Sequence, residues 1–253
     1  MEASSLTRYL LYQLYHARYL LHTFAKSKKE EHLHEFRIAL RQTRSLVKLF
    51  LEDRLPFPAP LKAVIKETNP LRELDVLLNS LDASEYPKLL KQLSNIRKDT
   101  ANTLITQKFI KHVSMLLDQY YNLIAQRNPN FISDILIERV LAHYQHCLNT
   151  HNALKENAKP KTLHRLRIEF KNARYGFEFL EIADIYQSQE VIQHCKQFQN
   201  TLGAIQDTIN QIDLLKKIYQ KYHADEVKEL VRKRKKELLL LKDTTRSELS
   251  ASI

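Results

Sequence analysis

Leu33-His34-Glu35-Phe36-Arg37-Ile38-Ala39-Leu40-Arg41-Gln42-Thr43-Arg44 recurs later in the chain as Leu163-His164-Arg165-Leu166-Arg167-Ile168-Glu169-Phe170-Lys171-Asn172-Ala173-Arg174. A shift of 130 residues aligns the two: leucine, histidine, the first arginine, isoleucine and the last arginine are identical, and Arg41 meets Lys171. On a helix of 100° per residue, His34, Arg37, Arg41, Arg44 and Lys48 fall within about 80° of one another. Leu33, Phe36, Leu40, Val47 and Phe50 form the neighbouring apolar arc. The second copy sets His164, Arg167, Lys171 and Arg174 beside Leu163, Leu166, Phe170, Phe177 and Leu180 in the same way. Each segment predicts a helix that buries one edge and carries a row of cations along the next. Because the cations lie beside the arc and not in it, changing their charge is expected to spare the fold. The copies differ at one place: Lys48 corresponds to Glu178, so the second row is shorter by one cation.

Around these segments, apolar residues recur at three- and four-residue steps, with no sustained alternation of period two. The pattern predicts helices near 4–26, 31–54, 59–82, 86–126, 131–157, 161–185, 189–223 and 225–249. Pro56, Pro58, Pro60, Pro87, Pro129 and Pro160 punctuate the gaps, whereas Pro70 falls inside the third pattern and is expected to kink or split it. Each repeat segment is the second helix in a run of four. The chain therefore reads as an all-α single domain over 1–253, with four-helix halves near 1–126 and 127–253. Only two glycines occur, Gly176 and Gly203. Average usage is about 7%, so few positions take positive φ cheaply, which disfavours tight hairpins and β-rich folds.

The 253 residues carry 40 Lys+Arg against 29 Asp+Glu, a formal net charge of +11. That balance favours phosphate-rich partners without choosing among nucleic acid, anionic membrane and polyphosphate. Cys147 and Cys195 are too few for a disulfide framework, which points to a reduced, cytoplasmic setting. Arg8, His16, Arg18 and His22 interrupt the apolar residues of Met1 to Phe24, so this stretch reads as neither signal peptide nor membrane span. A basic row on one helix is ordinarily a solvated face. Two helices repeating histidine, arginine, arginine or lysine, and arginine at identical steps are not explained by solvation, which requires neither order nor histidine.

The doubled pattern His-x-x-Arg-x-x-x-Arg/Lys-x-x-Arg resembles the CHAD domain, the conserved histidine α-helical domain. Leu71-Arg72-Glu73-Leu74-Asp75-Val76 is similar to the family's Arg-Asp-Leu-Asp-Val stretch after the first motif. Leu202-Gly203-Ala204-Ile205-Gln206-Asp207 is similar to its Leu-Gly-x-x-Asn-Asp stretch after the second, while Asn69-Pro70 stands where Leu-Gly would fall in the first half. The resemblance implies two four-helix bundle halves related by a pseudo-twofold axis, a basic groove between them, and binding of inorganic polyphosphate. Association with polyphosphate granules is a further implication. Carried over by motif position, the ligand contacts are His34, Arg37, Arg41, Arg44, His164, Arg167, Lys171 and Arg174, with Lys48 continuing the first row. Lys62 and Lys196 precede the two Leu-rich stretches at matching places and are added as weaker candidates. The expected chemistry suits a chain of oxyanions. Guanidinium forks give multidentate contacts, lysine a mobile point charge, and histidine a donor whose charge follows pH.

Nothing in the residues announces catalysis, a cofactor or a metal. The Glu-x-Glu-x-Lys signature of the triphosphate-processing domains sometimes fused to this family is absent, and two distant glycines make no phosphate loop. His34-Glu35 begins a metalloprotease-like string, but Ile38 stands where its second histidine belongs. His143, His146, Cys147 and His151 can approach one another on one helix but lack convergent carboxylates. Two other partners remain open. A nucleic acid would stack on exposed aromatics; Tyr12, Tyr15, Tyr19 and Tyr175 are available, though tyrosines at helical spacing read mostly as packing residues. An acidic protein or anionic membrane surface would use the run Arg232-Lys233-Arg234-Lys235-Lys236, which ordinarily reads as a solvated helix face.

Overall fold

The computed structural model describes residues 4–51, 59–128, 131–154, 160–223 and 225–251. Among them the chain is all-helical, without a strand. The helices are α1 (Ser5–Ser27), α2 (Glu30–Leu51), α3 (Ala59–Glu67), α4 (Asn69–Asn79), α5 (Pro87–Leu104), α6 (Gln107–Arg127), α7 (Ser133–Asn152), α8 (Pro160–Ile182), α9 (Gln189–Tyr222) and α10 (Asp225–Ala251). The repeat segments are α2 and α8. Pro56, Pro58 and Pro129 lie outside the described residues.

Two predicted helices are divided. The third breaks at Thr68 into α3 and α4, with Pro70 in the first turn of α4, where a missing N–H is harmless. The fourth breaks at Ile105, with no proline or glycine to mark it. Thr106 caps α6 there, its Oγ1 accepting from the Phe109 amide at 3.2 Å. Among the described residues the first half thus holds six helices rather than four. Ser4 caps α1 in the same manner, accepting from the Thr7 amide at 3.2 Å.

α1 packs against α2 and α6, α8 against α7 and α9, and α9 along α10. The largest core takes Phe24, Phe36 and Phe50 from the first half together with Val140, Phe177 and Phe179 from the second. Each such ring contributes roughly 1.5–3 kcal/mol by leaving water. Phe50 and Phe179 meet edge to face with centroids 5.8 Å apart. A second core joins Leu74 and Leu77 of α4 and Leu89 and Leu93 of α5 to Leu215 and Ile218 of α9 and Val227 and Leu230 of α10. Apolar burial therefore crosses between the two halves at both places. Gly176 lets α8 lie close to its neighbours, since a Cβ there would stand 2.9 Å from Val140 Cγ2 and 3.2 Å from Leu49 Cδ1.

Candidate functional site

α2 and α8 meet face to face and run antiparallel where they touch. Gln42 Nε2 lies 3.5 Å from Glu178 Oε2, Ser45 donates to Asn172 Oδ1 at 2.8 Å, and Lys48 Nζ lies 3.3 Å from Glu169 Oε1. Positions rise along one helix as they fall along the other, so the two cationic rows are brought together rather than sent to opposite faces.

The rows do not present all their members alike. Arg37 is only 2% exposed. Its Nη1 donates to the Ile65 carbonyl at 2.6 Å and to Thr68 Oγ1 at 2.5 Å, and its Nη2 to Asn69 Oδ1 at 2.7 Å. Burial, then Arg41 and Arg72, lower its pKa to about 9. The expectation that this cation lies beside the core and can be altered without harm to the fold is therefore corrected: Arg37 fastens α2 to the α3–α4 junction. Arg37→Ala should destabilise the protein by roughly 3 kcal/mol, because it removes a buried side chain and its three hydrogen bonds to residues 65–69. Thermal unfolding measures it.

Arg167, the counterpart of Arg37, is seated by an equivalent contact. Its Nε donates to the Gln199 carbonyl at 3.3 Å, and Gln199 stands in the second half where Ile65 stands in the first. A Cβ on Gly203 would lie 2.9 Å from Arg167 Nη2, so the missing side chain lets the guanidinium settle on the α9 backbone. In the first half Asn69 occupies the matching place and supplies an acceptor. The two halves thus hold the same arginine by different means. Gly203→Ala should leave the fold as stable or raise it by up to about 1 kcal/mol, since alanine is the better helix former. The Arg167 fork must then move, and affinity for any anion that this row holds should fall on the order of tenfold. Calorimetric binding beside a melting curve separates the two effects.

The next pair forms the centre of the site. Arg41 and Lys171 are half-buried, and among the described residues neither makes an ion pair or hydrogen bond with an acid. Burial lowers the pKa of Arg41, and Arg167 and Arg72 lower it further against Tyr175 and Asp207. Lys171 is pushed down to about 7, by burial first and then by Arg41, Arg167, Arg174 and Arg37. His34 is lowered by burial and by Arg72, with Arg41 and Lys171 of both helices contributing. Like charges are crowded here in a partly desolvated place, which is unfavourable until an anion enters.

The outer members are partnered. Lys48 is held by Glu169, which also lies 3.3 Å from His143 Nε2. The His143 hydrogen bond, then Lys48, hold the Glu169 carboxyl down at about 2 despite burial. Arg174 Nε lies 3.3 Å from Glu178 Oε1, and its guanidinium carbon stands 4.9 Å from the centre of the Tyr175 ring. Glu178, which shortens the second row, therefore also engages its last arginine. Arg44 is half-buried, its pKa lowered by burial and Arg41. His164 and Lys62 are exposed, and Lys196 is half-exposed. Lys62 and Lys196 are not among the principal charges acting on His34, Arg41 or Lys171.

Arg72 of α4 was not singled out as a contact, yet it acts on His34, Arg37 and Arg41. It stands in the Leu71–Val76 stretch quoted for its family likeness, where an arginine beside a cationic row was the available signal. Tyr175 is buried as a packing residue would be, at 2% exposed, whereas Tyr12, Tyr15 and Tyr19 are 60%, 67% and 59% exposed. Tyrosines read mostly as packing residues, and the three on α1 are exceptions to that reading. On α7, His151 packs edge to face on Phe198 and the Cys147 thiol is pushed up to about 12, by burial first. Among the described residues no three His, Cys, Asp or Glu side chains converge as a metal site requires. Among the same residues no helix is long and apolar enough to cross a membrane.

Comparison with known proteins gives one family and one fold. The profile of the CHAD domain family matches residues 8–216. The crystal structure of the CHAD domain from the plant Ricinus communis superimposes with a TM-score of 0.76 at 21% identity, covering 98% of this chain and 93% of that one. No curated protein matches. The family match ends at residue 216, within α9, along which α10 packs.

Proposed function

The chain belongs to the CHAD domain family, and from that premise we propose that it binds inorganic polyphosphate without transforming it. The observation that carries the reading is the meeting of Arg41 and Lys171, equivalent residues of the two repeat helices, half-buried among other cations and, among the described residues, not ion-paired to an acid. A flexible string of phosphates relieves this crowding at several points at once and needs no base recognition. His34, Arg41, Arg44 and Arg72 supply one side of the contact and Arg167, Lys171 and Arg174 the other. Lys48, His164, Lys62 and Lys196 extend it outward. Arg37 acts by fixing α2. The antiparallel contact of α2 and α8 is read as the centre of a pseudo-twofold relation between halves near 1–126 and 127–253 of one domain. A cytoplasmic protein that reaches polyphosphate granules fits this chemistry.

Direct titration with long-chain polyphosphate tests the reading. Saturable binding that vesicles of anionic lipid fail to displace supports it. Absence of binding, or displacement by the vesicles at equal anionic charge, refutes it.

A further inference from the structure

The outward face of α1 carries chemistry that a polyphosphate site does not use. Tyr12, Tyr15 and Tyr19 are 60%, 67% and 59% exposed, although rings of this size ordinarily leave water. On a helical wheel Arg8, Tyr12, Tyr15, His16, Tyr19, His22 and Lys26 lie within about 120°. They sit opposite Leu10, Leu14, Ala17, Leu21 and Phe24, which fill the core. The rings are ordered among themselves. Tyr12 and His16 stack with centroids 5.7 Å apart at 5° between planes, and His16 and Tyr19 continue the stack at 6.4 Å and 16°.

The charge of this face is predominantly positive. α1 has no acidic residue. The adjacent helix α6 has one, Asp118, and Arg18 of α1 holds it at 2.5 Å. Around it α6 exposes Lys108, Lys111 and His112, and adds Met115 and Tyr121 at 53% and 40% exposure. A second copy of this chain would bring such a face against an identical cationic one, which like-charge repulsion disfavours. Inorganic polyphosphate would answer the charge but has no flat surface to lay on the rings. An extended anion that also carries planar rings answers both.

We infer that the α1 face binds single-stranded nucleic acid, its bases stacking on Tyr12, Tyr15 and Tyr19 while Arg8, Lys26 and the lysines of α6 follow the phosphates. Stacking of this kind tolerates any sequence, because every base has a π-face. The surface is distinct from the α2–α8 contact and does not rest on the polyphosphate reading.

The test compares two probes of equal charge on the full chain. One is a mixed-sequence single-stranded RNA of about 12 residues, within the roughly 4–16 nucleotides that single modules cover. The other is an abasic sugar-phosphate oligomer of the same length. The RNA should bind roughly tenfold or more tightly than the abasic strand. The triple substitution Tyr12→Ser, Tyr15→Ser and Tyr19→Ser should erase that preference while leaving the melting temperature and long-polyphosphate affinity in place. The pair Arg41→Ala and Lys171→Ala should keep it. Equal affinity for the two probes, or a preference that survives the triple substitution, overturns the inference. It is likewise overturned if the triple substitution abolishes self-association or vesicle binding while wild type shows no preference for the RNA.

Discussion

Long-chain polyphosphate is expected to bind at least about a hundredfold more tightly than pyrophosphate at equal salt, because a long chain engages both repeat helices and its second engagement is intramolecular. Successive members of a row advance roughly 5 Å along the helix, so pyrophosphate reaches only part of one row. Replacing Arg41 and Lys171 together by alanine should remove most of that advantage. It should do so without lowering the melting temperature, since among the described residues neither side chain is ion-paired to an acid and both are held near other cations. The contrast with Arg37→Ala, which is expected to unfold the protein more readily, distinguishes residues that hold the site from residues that face the ligand. The length advantage should also shrink with salt, each neutralised phosphate adding about −0.7 to the log–log slope if single-stranded nucleic acid is a fair guide. Titrations of wild type and the double variant against short and long chains measure all of this. Equal affinity at both lengths, or a double variant indistinguishable from wild type, would remove the α2–α8 contact from the account.

Raising the pH from 7 to 9 should weaken binding by up to about a hundredfold, one power of ten per unit for a single proton. Lys171, pushed down to about 7 in the free protein by burial and by Arg41, Arg167, Arg174 and Arg37, gives up its proton as pH rises through that value. A polyanion beside it favours the ammonium and raises the pKa again, so binding takes up a proton wherever pH lies between the free and bound values. His34 is lowered in the free protein as well and adds proton uptake at lower pH. The sign reverses for the stability of the unliganded fold. The unfolded chain holds the Lys171 proton to about pH 10 while the folded chain has lost it, so stability rises with pH between about 7 and 10. Polyphosphate should cancel that rise. Lys171→Arg supplies a cation that does not titrate in this range and should flatten affinity between pH 7 and 9. A wild-type affinity constant over that interval would show that Lys171 is not beside the ligand.

Much of this was legible in the residues because the repeat carries its own alignment. The periodicity of Leu33 to Phe50 and of Leu163 to Leu180 gives two amphipathic helices, and the shared order of cations gives the pairing of Arg41 with Lys171. Pro70 announced the division of the third helix. The break at Ile105 was not legible, since it relies on one threonine cap within an otherwise continuous helical pattern. The fate of Arg37 was hidden for a different reason. A helical wheel places it beside the apolar arc, but only the path of residues 65–69 shows that carbonyl and side-chain oxygens wait for it there. Lys48 was equally opaque, because Glu169 meets it only through packing between helices, whereas Arg174 and Glu178, four residues apart on one helix, were readable from their spacing. The exposure of Tyr12, Tyr15 and Tyr19 was within reach: on the wheel they oppose Leu10, Leu14 and Phe24, and a helix has one core-facing side.

The most direct measurement is a crystal structure grown with long-chain polyphosphate. Phosphate density should lie between the Arg41 guanidinium and the Lys171 amine, touching both α2 and α8, with Arg37 still bonded to Ile65 and Thr68. Phosphate bound only along Arg232–Lys236 of α10, with the Arg41–Lys171 pair left bare, would contradict the claim that the repeated helices form one shared anion site.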